Sequence, residues 1–310
     1  MFEVVFLGTA GGVPTVERGL PALMVLHGPR RFLVDCGEGA QRQLLKSGLG
    51  LRRLDTVLLT HGHLDHMLGI GGLVGTLALF ETGDRLTVRG GAWALRAVRR
   101  LLSDVIWPGG GGPPIPVELV ELRPGVVTEE DGFRLRAFAV RHGRAEDCFG
   151  FAFEEPPRRA MLPERLAALG VPAGPERARL ARGEALVLAD GRRLAPDDVL
   201  GPARPGTKLV VVGDTGGTAE LVDEAAGADA LIIEATYLER DADLAAARGH
   251  LTAAQAARLA AEAGVGALYL NHLSGRYRPW EVEAEARTIF PRAHVAHDFD
   301  RIAVPAETEG

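Results

Sequence analysis

The sequence predicts a layered α/β fold: a mixed αββα sandwich of two sheets face to face with helices outside. Short β-branched and aliphatic runs recur along all 310 residues. The early runs follow one another closely, whereas the later ones alternate with stretches of helical periodicity, the order expected when two mixed sheets share one core. No segment approaches the roughly 18 uncharged apolar residues that a membrane span requires, so no membrane partner is expected.

Strands are expected at 4–7, 31–34, 56–59, 86–88, 117–120, 135–140, 149–153, 209–212, 231–233 and 267–270. Helical spacing marks 40–46, 66–80, 92–102, 219–226, 253–263 and 280–289. Between 156 and 205 the texture changes, because eight prolines interrupt short amphipathic pieces. That stretch reads as an inserted arm, with 1–155 and 206–310 forming the main domain. The arm carries nine arginines against six carboxylates in a chain of formal charge −6, so it is locally basic. The bland reading is a solvated excursion whose charges have no partner. Elsewhere the acidic balance argues against a protein that coats nucleic acid non-specifically.

Cys36 and Cys148 are the only cysteines, too few for a disulfide framework and not spaced as a metal-binding pair, so both are expected to be plain buried thiols. The amino terminus reads directly as a strand ending in a glycine turn, with no basic stretch followed by an apolar signal. A cytoplasmic location fits these features.

The chemistry concentrates in His61-Gly62-His63-Leu64-Asp65-His66, which follows the strand at 56–59 and precedes a helix. On such a turn His61 and His63 alternate along one side of an extended segment, while Asp65 and His66 enter the helix at another angle, so one turn can feed two metals. Imidazole with carboxylate suits zinc, manganese or iron. The missing ligands are expected at other strand ends, where His142, Asp214 and His272 stand. Taken singly, an aspartate there is often a helix cap, and a histidine there is often a satisfied edge residue.

These residues resemble the metallo-β-lactamase superfamily, and within it the ribonuclease Z family of tRNA 3′-processing endoribonucleases, in its short form. The resemblance runs end to end: Phe6-Leu7-Gly8-Thr9 with Pro14-Thr15 and Arg18; Asp35-Cys36-Gly37-Glu38-Gly39 with Gln41; the 61–66 turn; His142-Gly143 with Phe149-Gly150-Phe151; Gly213-Asp214-Thr215; Glu234-Ala235-Thr236; Gly249-His250; and His272 with Ser274, Arg276 and Tyr277. It implies a metallo-β-lactamase fold with two Zn2+ per subunit, Mn2+ or Fe2+ being alternatives. His61, His63 and His142 would hold one ion, Asp65, His66 and His272 the other, and Asp214 would bridge them. Two metals of this kind activate a shared water and stabilise both the attacking and leaving oxygens at phosphorus.

The resemblance also implies that Asp65 orients the nucleophile or takes its proton, that His250 protonates the departing ribose oxygen, and that Glu234 holds the His250 ring. From its neighbours alone, His250 reads as a surface residue at the start of an Ala-rich helix. The arm becomes an exosite for the body of a precursor tRNA, with Gly174 and Pro175 in its glycine-proline element, and Arg276 joins the substrate-binding set. Members are commonly homodimers. The implied reaction removes 3′ trailers from tRNA precursors and leaves a tRNA 3′-hydroxyl. Four positions depart from the family pattern: Gly19 stands in place of asparagine, Ile233 of histidine, Leu251 of serine and Asn271 of threonine. They keep open a divergent phosphodiesterase acting on small diesters or another RNA.

Overall fold

The computed structural model describes residues 1–80, 85–130, 132–188 and 190–305. It divides into two compact units, Met1–Glu154 with Lys208–Gly310, and Glu155–Thr207. Of the expected main domain, 81–84, 131 and 306–310 lie outside the described residues, as does 189 of the expected arm.

The first unit begins with β1 (Phe2–Gly8), β2 (Ala22–His27) and β3 (Arg30–Val34), then α1 (Ala40–Lys46), β4 (Thr56–Leu58), α2 (Leu64–Met67), α3 (Ile70–Phe80), β5 (Leu86–Gly90) and α4 (Ala92–Arg100). A π-helical turn, Leu101–Ile106, prolongs α4 before β6 (Val117–Glu121). The meander β7 (Gly125–Glu130), β8 (Phe133–His142) and β9 (Ala145–Glu154) follows.

The second unit holds β10 (Arg158–Met161), α5 (Pro163–Ala168), α6 (Pro175–Ala181), β11 (Leu186–Val187), β12 (Arg193–Leu194), α7 (Pro196–Val199) and β13 (Leu200–Arg204). Pro163, Pro175 and Pro196 stand at the first turn of its three helices, where the missing N–H has no intrahelical partner to lose. Leu166, Val171, Leu180, Leu194, Val199 and Leu200 give it an apolar cluster of its own.

The first unit resumes with β14 (Lys208–Val211), α8 (Val222–Ala225), β15 (Ala230–Glu234), α9 (Ala242–Arg248), α10 (Ala253–Glu262), β16 (Ala267–Asn271), α11 (Pro279–Arg287), β17 (Ala293–Val295) and β18 (Arg301–Val304). Two seven-stranded sheets result, in the orders β18-β1-β2-β3-β4-β5-β6 and β17-β16-β15-β14-β9-β8-β7. In the first, β3 to β6 are parallel; in the second, β14 to β17 are parallel and β7 to β9 antiparallel.

Strand alternation produces the layers. Phe2, Val4 and Phe6 of β1 meet Phe149, Phe151 and Phe153 of β9 and Leu209 and Val211 of β14 in the cluster between the sheets. Val5 and Leu7 face the helices of the first sheet, and Val210, Leu231 and Ile233 those of the second. This is the αββα sandwich expected from the sequence.

The differences from expectation are local. The helix expected over 66–80 breaks between α2 and α3, because Cys36 accepts from Gly69 N at 2.9 Å and donates to His66 O at 2.7 Å. A Cβ on Gly69 would come within 2.0 Å of Gly37 O, so the chain passes the end of β3 where only glycine fits. The stretch 219–226 starts as a 3-10 turn, Ala219–Leu221, ahead of α8. Strands β2, β7, β17 and β18 and helix α9 carry no signal that the periodicity reading used.

Candidate metal centre

Parallel strands β3, β4, β14, β15 and β16 point the same way, so their carboxyl ends and the loops after them gather at one edge, where α/β sheets place their ligands. The 61–66 turn follows β4, His142 ends β8, Asp214 follows β14, Glu234 ends β15 and His272 follows β16. All seven expected ligands lie at this edge. They fall into two clusters, His61, His63, His142 and Asp214 in one, and Asp65, His66 and His272 in the other.

His61 Nε2 lies 2.8 Å from His63 Nδ1, and His142 Nε2 lies 3.3 Å from the same nitrogen. Asp214 Oδ2 is 3.7 Å from both His61 Nε2 and His142 Nε2. In the other set His66 Nε2 and His272 Nε2 are 3.4 Å apart, and Asp65 Oδ2 lies 3.6 and 3.5 Å from them. Asp214 Oδ1 lies 3.4 and 3.2 Å from the same two nitrogens. The two oxygens of Asp214 therefore serve different sets.

This donor set fits a metal pair. Two Zn–N bonds of about 2.0–2.1 Å at a tetrahedral angle separate their nitrogens by about 3.3 Å. The observed separations cluster around that value. Asp214 Oδ1 is also buried and accepts no well-directed hydrogen bond, an arrangement costly without a cation.

Four imidazoles are oriented through their outer nitrogens, which leaves Nε2 facing inward. His66 Nδ1 bonds Asp35 Oδ2 at 2.8 Å, His61 Nδ1 meets Thr60 Oγ1 at 3.0 Å, His142 Nδ1 donates to Gly249 O at 2.7 Å, and His272 Nδ1 meets Thr236 Oγ1 at 2.9 Å. Asp35 also accepts from Thr60 N at 2.8 Å and from Thr60 Oγ1. Asp35 and His272 have φ of 59° and 55°, a conformation that non-glycine residues adopt at a cost. Roles for Asp35, Thr60 and Thr236 at the site emerge only from these contacts. Only the position of Asp35 just beyond β3, at the same sheet edge, could have pointed to it.

Burial holds His61 and His63 below the usual imidazole range, the neutral form that can ligate. Burial opposes charge on His66 too, but the carboxylates of Asp214 and Asp35 outweigh it and raise that ring. Burial likewise opposes charge on Asp214, yet His272 and His66 hold it well below the carboxylate range.

His250 is not a surface residue. Its Nδ1 lies 2.9 and 3.1 Å from the two oxygens of Glu234 and 3.9 Å from Asp214 Oδ2, and its ring stacks on His272 at 5.4 Å. Glu234 is buried and also accepts from Thr215 N, Leu251 N and Thr236 Oγ1. Burial lowers the His250 pKa, but the Glu234 hydrogen bond and charge reverse this and leave it raised. A Cβ on Gly249, whose φ is 73°, would come within 2.6 Å of Gly143 N, so the turns carrying His142 and His250 touch.

Arg276 lines a groove of about 520 Å³ with Thr15, Arg18, Ser274 and His297. Arg18 is buried there and bonds Thr9 Oγ1 and Ala296 O through Nη1, while its Nη2 has no partner among the described residues. Gly174 and Pro175 begin α6 in the second unit, apart from this cluster in the chain, and Arg177 holds the preceding turn through Pro172 O and Val171 O. Most arm arginines are engaged within the arm: Arg158 with Glu155, Arg159 with Asp197, Arg179 and Arg182 with Glu184, and Arg192 with Asp190. Among the described residues, the side chains of Arg193 and Arg204 have no such partner.

The four departures sit around these groups. Ile233 and Leu251 belong to the apolar cluster beneath the second sheet's helices. Gly19 donates to Asp298 at 2.7 Å, and Asn271 keeps a buried Oδ1 without a partner among the described residues.

Comparison with known proteins agrees with this geometry. Residues 30–163 match the family model of the beta-lactamase superfamily domain. Ribonuclease Z of Bradyrhizobium diazoefficiens is 54% identical over 98% of this chain and 100% of its own length. Ribonuclease Z of Archaeoglobus fulgidus is 39% identical over 98% of each chain. Among solved structures, a metallo-beta-lactamase fold protein from Bacillus subtilis superposes with a TM-score of 0.70 at 19% identity, covering 97% of this chain and 98% of that one. The short form of human tRNase Z gives 0.65 at 24%, covering 98% and 99%. With its sandwich fold and its histidine and aspartate clusters at the sheet edge, the chain belongs to the ribonuclease Z family of metallo-β-lactamase-fold hydrolases.

Proposed function

We propose that this chain is a zinc-dependent endoribonuclease that removes 3′ trailers from precursor tRNA and leaves a tRNA 3′-hydroxyl. The observation that carries this reading is the split carboxylate of Asp214, one oxygen toward each ligand set, beside the His250–Glu234 pair. His61, His63 and His142 would hold one zinc, Asp65, His66 and His272 the other, with Asp214 shared between them. When bound, such a pair supplies an attacking water ionised near neutral pH and charge neutralisation at phosphorus.

The chain's own residues do the rest. His250 donates from Nε2 to the departing ribose oxygen, while Glu234 accepts from Nδ1 and fixes that tautomer. Asp65 accepts from Gly12 N at 3.0 Å, which holds its carboxylate where it can also orient the attacking water. Arg276 contacts the substrate backbone beside the centre. The arm serves as the exosite for the tRNA body, with the unpartnered Arg193 and Arg204 and the Gly174-Pro175 turn as its contacts. Arginine binds phosphate without reading sequence, which suits recognition of a folded RNA by shape.

A cytoplasmic homodimer belongs to the same reading. The two free, buried thiols suit a reducing compartment, and the dimer follows from the family resemblance and is checked by light scattering. No helix among the described residues is long and apolar enough to cross a membrane.

The test incubates purified, metal-loaded protein with a tRNA precursor bearing a 3′ trailer. A trailer with a 5′ phosphate and a tRNA with a 3′-hydroxyl are expected. No cleavage with zinc or manganese present sinks the proposal, and turnover of a small diester in place of precursor would redirect it.

A further inference from the structure

A groove of about 740 Å³ opens beside His63 and His142 and is lined by Trp93, Arg144, Glu146 and Arg248. Trp93 is the second residue of α4, which buries Ala94, Leu95 and Val98 in the helix-side core and leaves the indole out of it. The indole lies instead against the ligand turn. A Cβ on Gly62 would come within 3.0 Å of Trp93 Cδ2 and Cε3, and the ring stands edge-on to His63 at 5.4 Å and 88°. Trp93 is half-buried, and its N–H bonds no protein group among the described residues.

Arg144 belongs to the β8–β9 hairpin turn and Arg248 ends α9, in the two loops that touch at Gly143 and Gly249. Both guanidinium groups are exposed and without an ion-pair partner among the described residues. The single carboxylate of the lining, Glu146, leaves the groove with a net positive charge. An aromatic surface held against a rigid turn, with two free arginines beyond it, has the chemistry that binds one unpaired nucleotide: a platform for the base and cations for the next phosphate.

We propose, resting on the ribonuclease reading above, that this groove is the subsite for the nucleotide next to the scissile phosphate. Its base stacks on Trp93, and the phosphate beyond it lies between Arg144 and Arg248. Stacking tolerates any base, so the subsite demands an unpaired nucleotide and not a sequence. It therefore selects for single-stranded RNA running out of the metal centre.

The test pairs Trp93→Ala and Trp93→Phe with precursors made abasic at either nucleotide flanking the cleaved bond. In the unmodified enzyme one abasic position raises KM about five- to a hundredfold, as loss of one base–aromatic stack does. Trp93→Ala raises KM for the intact precursor by a similar factor and abolishes the further penalty of that abasic position, while Trp93→Phe keeps most of the affinity. An abasic penalty undiminished in Trp93→Ala, or an unchanged KM, overturns the proposal.

A second readout needs no turnover: binding of a short single-stranded RNA should quench tryptophan fluorescence in the unmodified protein and lose that quenching in Trp93→Phe. If the enzyme cleaves no precursor tRNA and the Trp93-dependent quenching persists, the subsite stands and the processing role falls. If quenching is the same in both proteins, the subsite falls.

Discussion

Replacing Asp35 by asparagine should weaken one of the two proposed metal sites and leave the other nearly intact. Asp35 Oδ2 accepts from His66 Nδ1 at 2.8 Å, and its other oxygen accepts from Thr60 N at 2.8 Å. Asparagine preserves volume and tolerates the φ of 59° at this position. It offers one oxygen where two donors wait. If the amide oxygen keeps Thr60 N, its NH2 faces His66 Nδ1 and drives that ring into the tautomer whose Nε2 carries a proton, the wrong form for a ligand. If the amide is reversed, Thr60 N–H is left buried against another donor, which costs about 1–3 kcal/mol of stability. Losing a carboxylate behind a ligating histidine lowers metal affinity about 10- to 100-fold, or roughly 1.4–2.8 kcal/mol. The assay is competitive zinc titration with a chromophoric chelator, read together with metal content and urea unfolding. The site of Asp65, His66 and His272 should weaken by that factor, while the site of His61, His63 and His142 changes little. Unmodified affinity at both sites together with unmodified stability would refute the reasoning.

Other outcomes follow from the same geometry. His250→Ala should lower kcat about 10²- to 10⁴-fold with metal content unchanged, measured on precursor tRNA. Because the proposed acid, His250, must carry its proton and its pKa is raised, activity should persist above the usual imidazole range and fall as pH rises further. Glu234→Gln removes the charge that raises it, so the alkaline limb of the kcat/KM profile should move to lower pH; a limb that stays in place excludes His250 as the acid. Gly91→Ala drives a Cβ to 2.2 Å from Asp147 O, so it should cost about 1–3 kcal/mol in urea unfolding. Arg193→Ala with Arg204→Ala should weaken precursor binding and reduce the log–log salt slope by about 1 per residue, whereas an unchanged slope removes both from the exosite.

Much of the site was legible in the chain because its chemistry is local. The 61–66 turn places four ligand candidates on one strand-to-helix connection, and His142, Asp214 and His272 each stand at the end of an apolar run. The runs of β14 and β15 announced themselves because buried parallel strands read as continuous aliphatic stretches, and β8 because an antiparallel strand with one buried face alternates. The elements without a signal were those whose order depends on neighbours. Edge strands β17 and β18 are only three and four residues long, and β2 gains its identity from pairing with β1 and β3.

By itself, then, the sequence determined the layers, the ligand turn and which residue types stand at the strand ends, since hydrophobic period and local turn chemistry are properties of consecutive residues. Only the tertiary structure turned the two oxygens of Asp214 toward different histidine sets, because they can do so only after both sheets are stacked in register. It alone also brought Asp35 to His66 across 31 residues and Thr236 to His272 across 36. The Trp93 groove is of the same kind: its walls come from loops far apart in the chain, and no periodicity records which loops will touch.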